Sequence, residues 1–555
     1  MKGSESPPAS LSTLPVELGH HIARFLANRD IKSLRLTSSS LRARFTLCLK
    51  RVFISASPRN LKVVKEVADH EVFRHGVTEI IWDESEFQYT SSKLRTCDWD
   101  WGYYLDSCRE DICELAGGWT NADLTGRPDD ATRQLAAAMS RDECEQLYSE
   151  LADEEECILK SGEDIKVFEY ALDRFPLLRR VTISTKAHGR LFMPMYETPM
   201  IRSFPYGFVY HLPDLSGQSV YGYDSSLLWE DEQSGNRPKY TVHRRGVCSS
   251  LRMLARHERH KVSEFIIEDL TRINWIPVSK FDNKGYALAD LKSLIQRPGF
   301  SRLHLFADDP KGHEILEKVE NLRSLRICGR WSDAYLQFPR CVMQSLQNLE
   351  LDKLELEAHN FMTFVGPLNS LRSLQLRYAI FSRQYGVEEE TDPNPTGNPH
   401  EFLNALKEND WCSRSSRPKV TIELVDGSWY EGQMLRLDSD VDEFLYENGE
   451  NPFVPDKFEV FHGHSYFVSQ DMDKICEGKG IEVDEYDPEY ERPNFDDETR
   501  ERLGIASTHY RRDKPWGDSE WGPQTCPKLE EQDTNPHSEG PLELAQTFGE
   551  TMRLS

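Results

Sequence analysis

The sequence predicts an α/β chain in which helix-plus-strand repeats lay their strands into a parallel sheet, headed by a three-helix module and trailed by an acidic segment. Three observations carry this. The pattern L-x-x-L-x-[LI] recurs at 322–327 (LRSLRI), 346–351 (LQNLEL) and 371–376 (LRSLQL), and its central leucines Leu325, Leu349 and Leu374 lie 24 and 25 residues apart. Stretches with apolar residues at helical spacing stand ahead of strand-like segments of this kind. Charge is partitioned: of the formal net −26, residues 384–555 hold 40 Asp/Glu against 16 Lys/Arg, which leaves the first 383 residues near neutral.

A chain of 555 residues exceeds one compact core. Its 38% apolar and 29% charged residues are ordinary for a soluble globular protein. No stretch reaches the ~18 uncharged apolar residues of a membrane-spanning helix, and the first twenty residues lack the apolar core of a secretory signal. A cytoplasmic and/or nuclear protein with no membrane partner is expected. None of the 12 cysteines forms a C-x-x-C pair, which disfavours a zinc ribbon or a thioredoxin-type site and suits reduced thiols. The acidic end disfavours nucleic acid as a partner, because phosphate contacts supply most of that affinity.

After a polar tail (1–9), residues 10–54 read as three short amphipathic helices. Thr13 can cap the first, with Pro15 in its opening turn, where a missing N–H costs little. Leu14, Leu18, Ile22, Phe25 and Leu26 make its stripe, and Ile31, Leu34 and Leu36 belong to the second helix. Ser38–Ser40 offer a cap for a third, with Leu41, Phe45, Cys48 and Val52 as its stripe. Residues 14–54 carry eight basic against two acidic residues, a local +6. So small a core gains stability by burying apolar surface on a partner.

The run Leu14-Pro15-x-Glu17-Leu18, followed by Ile22, Leu26, Asp30-Ile31, Leu34, Leu36 and Leu41, resembles the F-box, although Ser38-Ser39 stands where a Cys-Lys pair is frequent. The resemblance covers about 45 of the 555 residues. It implies docking onto the Skp-type adaptor of a cullin ubiquitin ligase (an SCF ligase), with Leu14, Pro15, Leu18, Ile22, Leu26, Ile31, Leu34 and Leu36 as adaptor contacts. A subunit of this kind is not an enzyme, and the resemblance implies no catalytic residue, cofactor or metal.

The body (55–383) is similar in pattern to divergent leucine-rich repeats. FSRLHL (300–305) precedes the three regular segments, and VTEIIW (77–82), LRRVTI (178–183) and VSEFII (262–267) share the pattern at wider spacing. Helices are expected at 60–73, 163–175, 286–295 and 311–320. Stacking such units aligns their strands and buries one continuous core, an irregular horseshoe. Two insertions interrupt it: 84–160, with DWDWGYY (98–104) and an acidic helical run at 141–157, and 186–248, read as a long loop region. A Pro/Asn/Glu linker (384–400) leads to a region of helix and hairpin (401–475), the hairpin turning at Asp426-Gly427 with FEVFHGHSYFV (458–468) as its extension. Residues 476–555 read as a mostly disordered acidic tail.

Alternate residues of each strand face away from the repeat core. Thr182, His304, Arg326, Glu350 and Gln375, then Ser184, Asp352 and Arg377, are expected on an exposed, mixed-charge face suited to a protein substrate; His304, Arg326, Glu350, Asp352, Gln375 and Arg377 are the candidate substrate contacts. Reversing Arg326 and Arg377 to Glu is expected to impair substrate capture and leave adaptor binding intact. His257-Glu258-Arg259-His260 has the wrong spacing for a zinc-protease helix, and His462-Gly463-His464 lacks further ligands at metal-site spacing. Two alternatives stay open: a repeat scaffold whose degenerate F-box joins no ligase, and an enzyme with a site built from the two insertions.

Overall fold

Nine strands lie side by side, all parallel and in chain order. The computed structural model describes residues 14–23, 26, 28–45, 47, 49–85, 87, 108, 127–210, 212, 245–257, 259–268, 286–306, 315–328, 338–352, 354–377, 380–382, 399–408, 411–424, 433–454, 479–484 and 487–493. All of them belong to a unit spanning Met1–Ala506; the second unit, Ser507–Ser555, lies outside the described residues.

The strands are β1 (Arg51–Ile54), β2 (Glu79–Asp83), β3 (Arg180–Ser184), β4 (Glu264–Glu268), β5 (Arg302–Phe306), β6 (Ser324–Cys328), β7 (Asn348–Asp352), β9 (Ser373–Arg377) and β11 (Lys419–Leu424), in that spatial order. The short β8 (Glu355–Glu357) and β10 (Ile380–Ser382) pair separately in parallel, with buried Leu356 opposite Phe381. Register explains the repeat. Leu303, Leu325, Leu349, Leu374 and Val420 stand opposite one another on successive strands. The same row continues through Phe265, Val181, Ile80 and Val52. This ladder and its companion at Ile183, Ile327, Leu351, Leu376 and Ile422 bury one continuous core.

The helices that cover this core are α4 (Pro58–Asp69), α7 (Glu163–Arg174), α8 (Arg245–Arg256), α9 (Tyr286–Ile295), α10 (Arg340–Ser345), α11 (Ala358–Val365), α12 (Pro399–Glu408) and α13 (Ser439–Tyr446). Each turns an apolar stripe inward, as Leu61, Val64 and Val67 do in α4 and Val167, Phe168 and Ala171 in α7. Helices are therefore found where expected at 60–73, 163–175 and 286–295. Of the expected helix at 311–320, residues 311–314 lie outside the described residues and Ile315 is helical, but the helix ends short of 320: Lys318 adopts φ 66° and Glu317–Lys318 turn the chain before Leu322 enters the core.

The acidic run 141–157 is helical, within α6 (Arg141–Ser161), and α5 (Arg127–Ala136) precedes it. A capping box of Ser140 with Glu143 starts α6, and Gly162 at φ 67° ends it before α7. The described part of the second insertion, 186–210, is not a free loop. It packs Leu191, Met200, Phe208, Val209 and Tyr210 against Phe87, Cys144, Tyr148 and Leu151 of the first insertion, so the two share a second core.

The hairpin expected at 419–437 is present: β12 (Gln433–Leu437) pairs antiparallel with β11, Leu424 opposite Leu435. Its turn at Asp426-Gly427 and the segment 458–468 lie outside the described residues. What extends the hairpin is β13 (Ile481–Asp484) and β14 (Asp487–Pro493), both antiparallel, which corrects the reading of these residues as acidic tail. Ile481 and Val483 alternate with Glu482 and Asp484, and Val483 is buried opposite Met434.

Candidate functional site

Two surfaces carry the residues singled out in the sequence. The first is the head, α1 (Val16–Ala23), α2 (Asn28–Thr37) and α3 (Ser39–Arg44). Ser38 caps α3, its hydroxyl accepting from Leu41 N at 3.1 Å. Ile31, Leu41 and Phe45 form a small core of their own, with Ile22, Leu26 and Leu34 partly buried against it. Arg35 ties α2 to the end of α3 by donating to the Phe45 carbonyl at 2.7 Å, and Arg44 donates to the Leu14 carbonyl. Of the expected third stripe, Leu41 and Phe45 belong to this core, Val52 belongs to β1 and the main core, and Cys48 lies outside the described residues.

The adaptor-contact set divides. Pro15, Leu18 and Leu36 are exposed, Leu18 at 50% and Leu36 at 88%. Leu14, Ile22, Leu26 and Leu34 are half-buried. Ile31 is 1% exposed and is corrected from a surface contact to the pivot of the module's core. Within α2 it points to the inside, while Leu36, five residues on, points out, as a 3.6-residue period requires.

The second surface is the sheet face turned away from the core. It carries Thr182, His304, Arg326, Glu350, Asp352, Gln375 and Arg377 as expected, but it is not freely exposed. Thr182, Ser184, His304, Asp352 and Arg377 are buried, and Arg326, Glu350 and Gln375 are only partly exposed, the Arg326 and Glu350 side chains at 13% and 19%. Parallel strands sit ~4.8 Å apart, so side chains in register can neutralise one another across the face. Arg326 pairs with Glu350 at 3.1 Å and with Asp352; Arg377 reaches Glu350 at 3.3 Å and Glu423 at 2.6 Å; Arg436 meets Glu423 at 3.0 Å. Alternating charges thus run from β6 to β12. A matching ladder crosses β1–β4: Arg51 to Glu79 at 2.9 Å and Arg180 to Glu264 at 2.6 Å. Burial would lower the Arg326 pKa, but Glu350 and Asp352 outweigh it and raise it. Burial and then the Arg326 and Arg302 charges push His304 well below the usual histidine range, so its imidazole is neutral.

At the C-terminal ends of β2–β4 the second insertion lies on this face. The Tyr196 hydroxyl donates to Glu268 at 2.9 Å, and its ring packs on Phe53 at 5.8 Å and under the Arg51 guanidinium. Beside it, burial pushes Asp83 up to about 6 and His188 down to about 3. His188 Nδ1 pairs with the Tyr210 hydroxyl at 2.9 Å, while His188 Nε2 and Asp83 Oδ2 have no hydrogen-bond partner among the described residues. These positions were not legible in the sequence, since they depend on how the insertions fold back.

Of the histidines weighed as ligands, His257 pairs with Asp173 at 2.9 Å and His260 with the Leu254 carbonyl at 2.8 Å; His462 and His464 lie outside the described residues. Among the described residues no helix is long and apolar enough to cross a membrane. No protein-family model matches this chain, and no curated protein matches it either.

Proposed function

We propose that the protein is the substrate-recognition subunit of an SCF-type ubiquitin ligase, holding the Skp-type adaptor through its head and a protein substrate through the leucine-rich-repeat-like body. The observation that carries the reading is the head's division of labour: a self-contained core of Ile31, Leu41 and Phe45 beside exposed Pro15, Leu18 and Leu36. A leucine exposed at 88% is costly to leave in water and gains on docking. Burying exposed Leu36 contributes roughly 1.5–3 kcal/mol, and Leu18, Leu14 and Ile22, already partly covered, contribute less each, before association entropy is subtracted. Exposed Lys32 and Arg42 speed encounter with an acidic adaptor more than they strengthen the complex.

The body supports a geometric rather than a catalytic role. Among the described strands the order never reverses, and a reversal is what opens the ligand crevice of doubly wound α/β enzymes. Adaptor and cullin would supply the ubiquitin-transfer machinery, and this chain would need no cofactor.

The test is co-purification with a Skp-type adaptor, comparing wild type with Leu14→Ala/Pro15→Ala and with Leu18→Asp/Leu36→Asp. Stoichiometric capture by wild type, lost in both variants, is the expected result. A folded wild type that captures no adaptor would leave a repeat scaffold with a helical cap.

A further inference from the structure

On the polar sheet face, the carboxylates that stand opposite arginines are already engaged. Glu79 holds Arg51, Glu264 holds Arg180, Glu350 and Asp352 hold Arg326, and Glu423 holds Arg377 and Arg436. Arg302 is left out. It stands between Glu264 on β4 and the uncharged Ser324 on β6. No described residue makes a hydrogen bond or ion pair with its side chain, and its buried Nε has no partner. Two residues along the same face, His304 is 6% exposed, and its Nδ1 is likewise unpartnered. A half-buried guanidinium with an unpaired Nε beside a buried imidazole with an unpaired Nδ1 is costly to keep. Burial first, and then the neighbouring Arg326, Arg302, Arg377 and Arg180 guanidiniums, keep the His304 imidazole neutral, while Glu264 and Glu350 act on Arg302 from a distance without pairing with it.

We propose that Arg302 and His304 form an anion subsite on β5 that takes a carboxylate or phosphate group carried by a bound protein segment. Side chains two residues apart on a strand face sit ~7 Å apart, so one group with two or three oxygens can accept from both. A guanidinium presents paired N–H donors that match such a group. A protein segment fits better than a polyanion: Glu264, Glu350 and Asp352 flank the subsite and repel extended negative charge, yet a single acidic or phosphorylated side chain among neutral residues meets only the vacant position. The source of the anion rests on the substrate-receptor reading; the subsite itself does not.

The experiment is calorimetric titration of the full chain with three probes: a short Gly/Ser peptide carrying one Glu, the same peptide with phosphoserine in place of that Glu, and inorganic phosphate. One of the two peptides is expected to bind. Arg302→Gln should weaken it about tenfold or more, and Arg302→Lys by less, because the charge stays but the fork is lost. Since no described residue makes a hydrogen bond or ion pair with the Arg302 side chain, both variants should melt at or above the wild-type temperature, and thermal unfolding checks this. Binding of none of the probes, or unaltered binding by folded Arg302→Gln, overturns the subsite. Inorganic phosphate binding as tightly as either peptide overturns its assignment to a protein segment. Adaptor capture is measured on the same preparations. Anion binding without capture would count against the ligase reading alone, and capture without anion binding against the subsite alone.

Discussion

Arg377 Nε donates to Glu423 Oε2 at 2.6 Å between β9 and β11, and both side chains are almost out of water, at 7% and 1% exposure. Removing one member of such a pair strands the other. Arg377→Ala or Glu423→Ala should each cost about 3–5 kcal/mol in urea unfolding, while Gln375→Ala on the same strand costs little. Arg326→Glu/Arg377→Glu sets two new carboxylates against Glu350, Asp352 and Glu423. That variant is expected to lose stability as well as substrate capture, so these two arginines test folding before they test recognition. An unchanged urea midpoint for Arg377→Ala would refute the structural role.

In the head, exposure separates binding from folding. Leu18→Asp and Leu36→Asp should shift stability by no more than about 0.5 kcal/mol and abolish adaptor capture. Ile31→Ala should cost about 2–5 kcal/mol, because it empties the centre of the module's core. Circular dichroism alongside capture distinguishes the two; equal unfolding by Leu36→Asp and Ile31→Ala would contradict the assignment.

Asp83 and His188 have pKa values moved in opposite directions, and their effects on stability oppose each other. Asp83 is raised from 3.8 to about 6, so the stability it contributes is present below its unfolded value and is lost as pH rises through about 6. His188 is lowered from 6.5 to about 3, so its contribution is present above its unfolded value and is lost as pH falls toward 3. Relative to wild type, Asp83→Asn should become more stable at neutral pH, by on the order of 1–3 kcal/mol. His188→Gln should leave a stability that declines more steeply from pH 4 to 6 than that of wild type. Urea midpoints across this range decide; the same slope in all three proteins would contradict the burial of these groups.

Gly207 joins the insertions. It adopts φ 78°, its carbonyl accepts from Met139 N at 2.9 Å, and a Cβ there would fall 2.1 Å from the Ala137 carbonyl oxygen. Gly207→Ala should cost more than about 1 kcal/mol and raise protease cleavage in α5 and α6, while adaptor capture persists. Limited proteolysis of the full chain is the measurement, and an unchanged digestion pattern would show that the backbone can yield there.

The strand repeat was legible because the positions it marks have one job. Leu303, Leu325, Leu349 and Leu374 must each fill the core beneath the next strand, so the spacing of leucines is the spacing of repeats. The polar face was legible in direction but not in exposure. Nothing local to Asp352 or Arg377 says that guanidiniums from neighbouring strands will fold onto carboxylates and take both out of water. Ile31 and Leu36 read alike as apolar helical positions, and only the packing of α2 on α3 separates them. The sequence Asp487–Pro493 carries almost no strand signal and pairs only because β13 offers it an edge. The contact of Phe87 with Tyr148 and Tyr210 joins segments separated by scores of residues, which no local pattern records.

The change of direction after β11 also limits growth. Up to that strand each unit leaves an edge onto which another parallel unit can stack, and a sheet of this kind has no inherent length. The antiparallel β12, β13 and β14 replace that edge with one of different hydrogen-bond spacing, so a further helix-strand unit finds no matching template. The same change of pattern disfavours a second molecule adding its own parallel repeats at that edge. Among the described strands, β12 to β14 thus close the parallel run at β11.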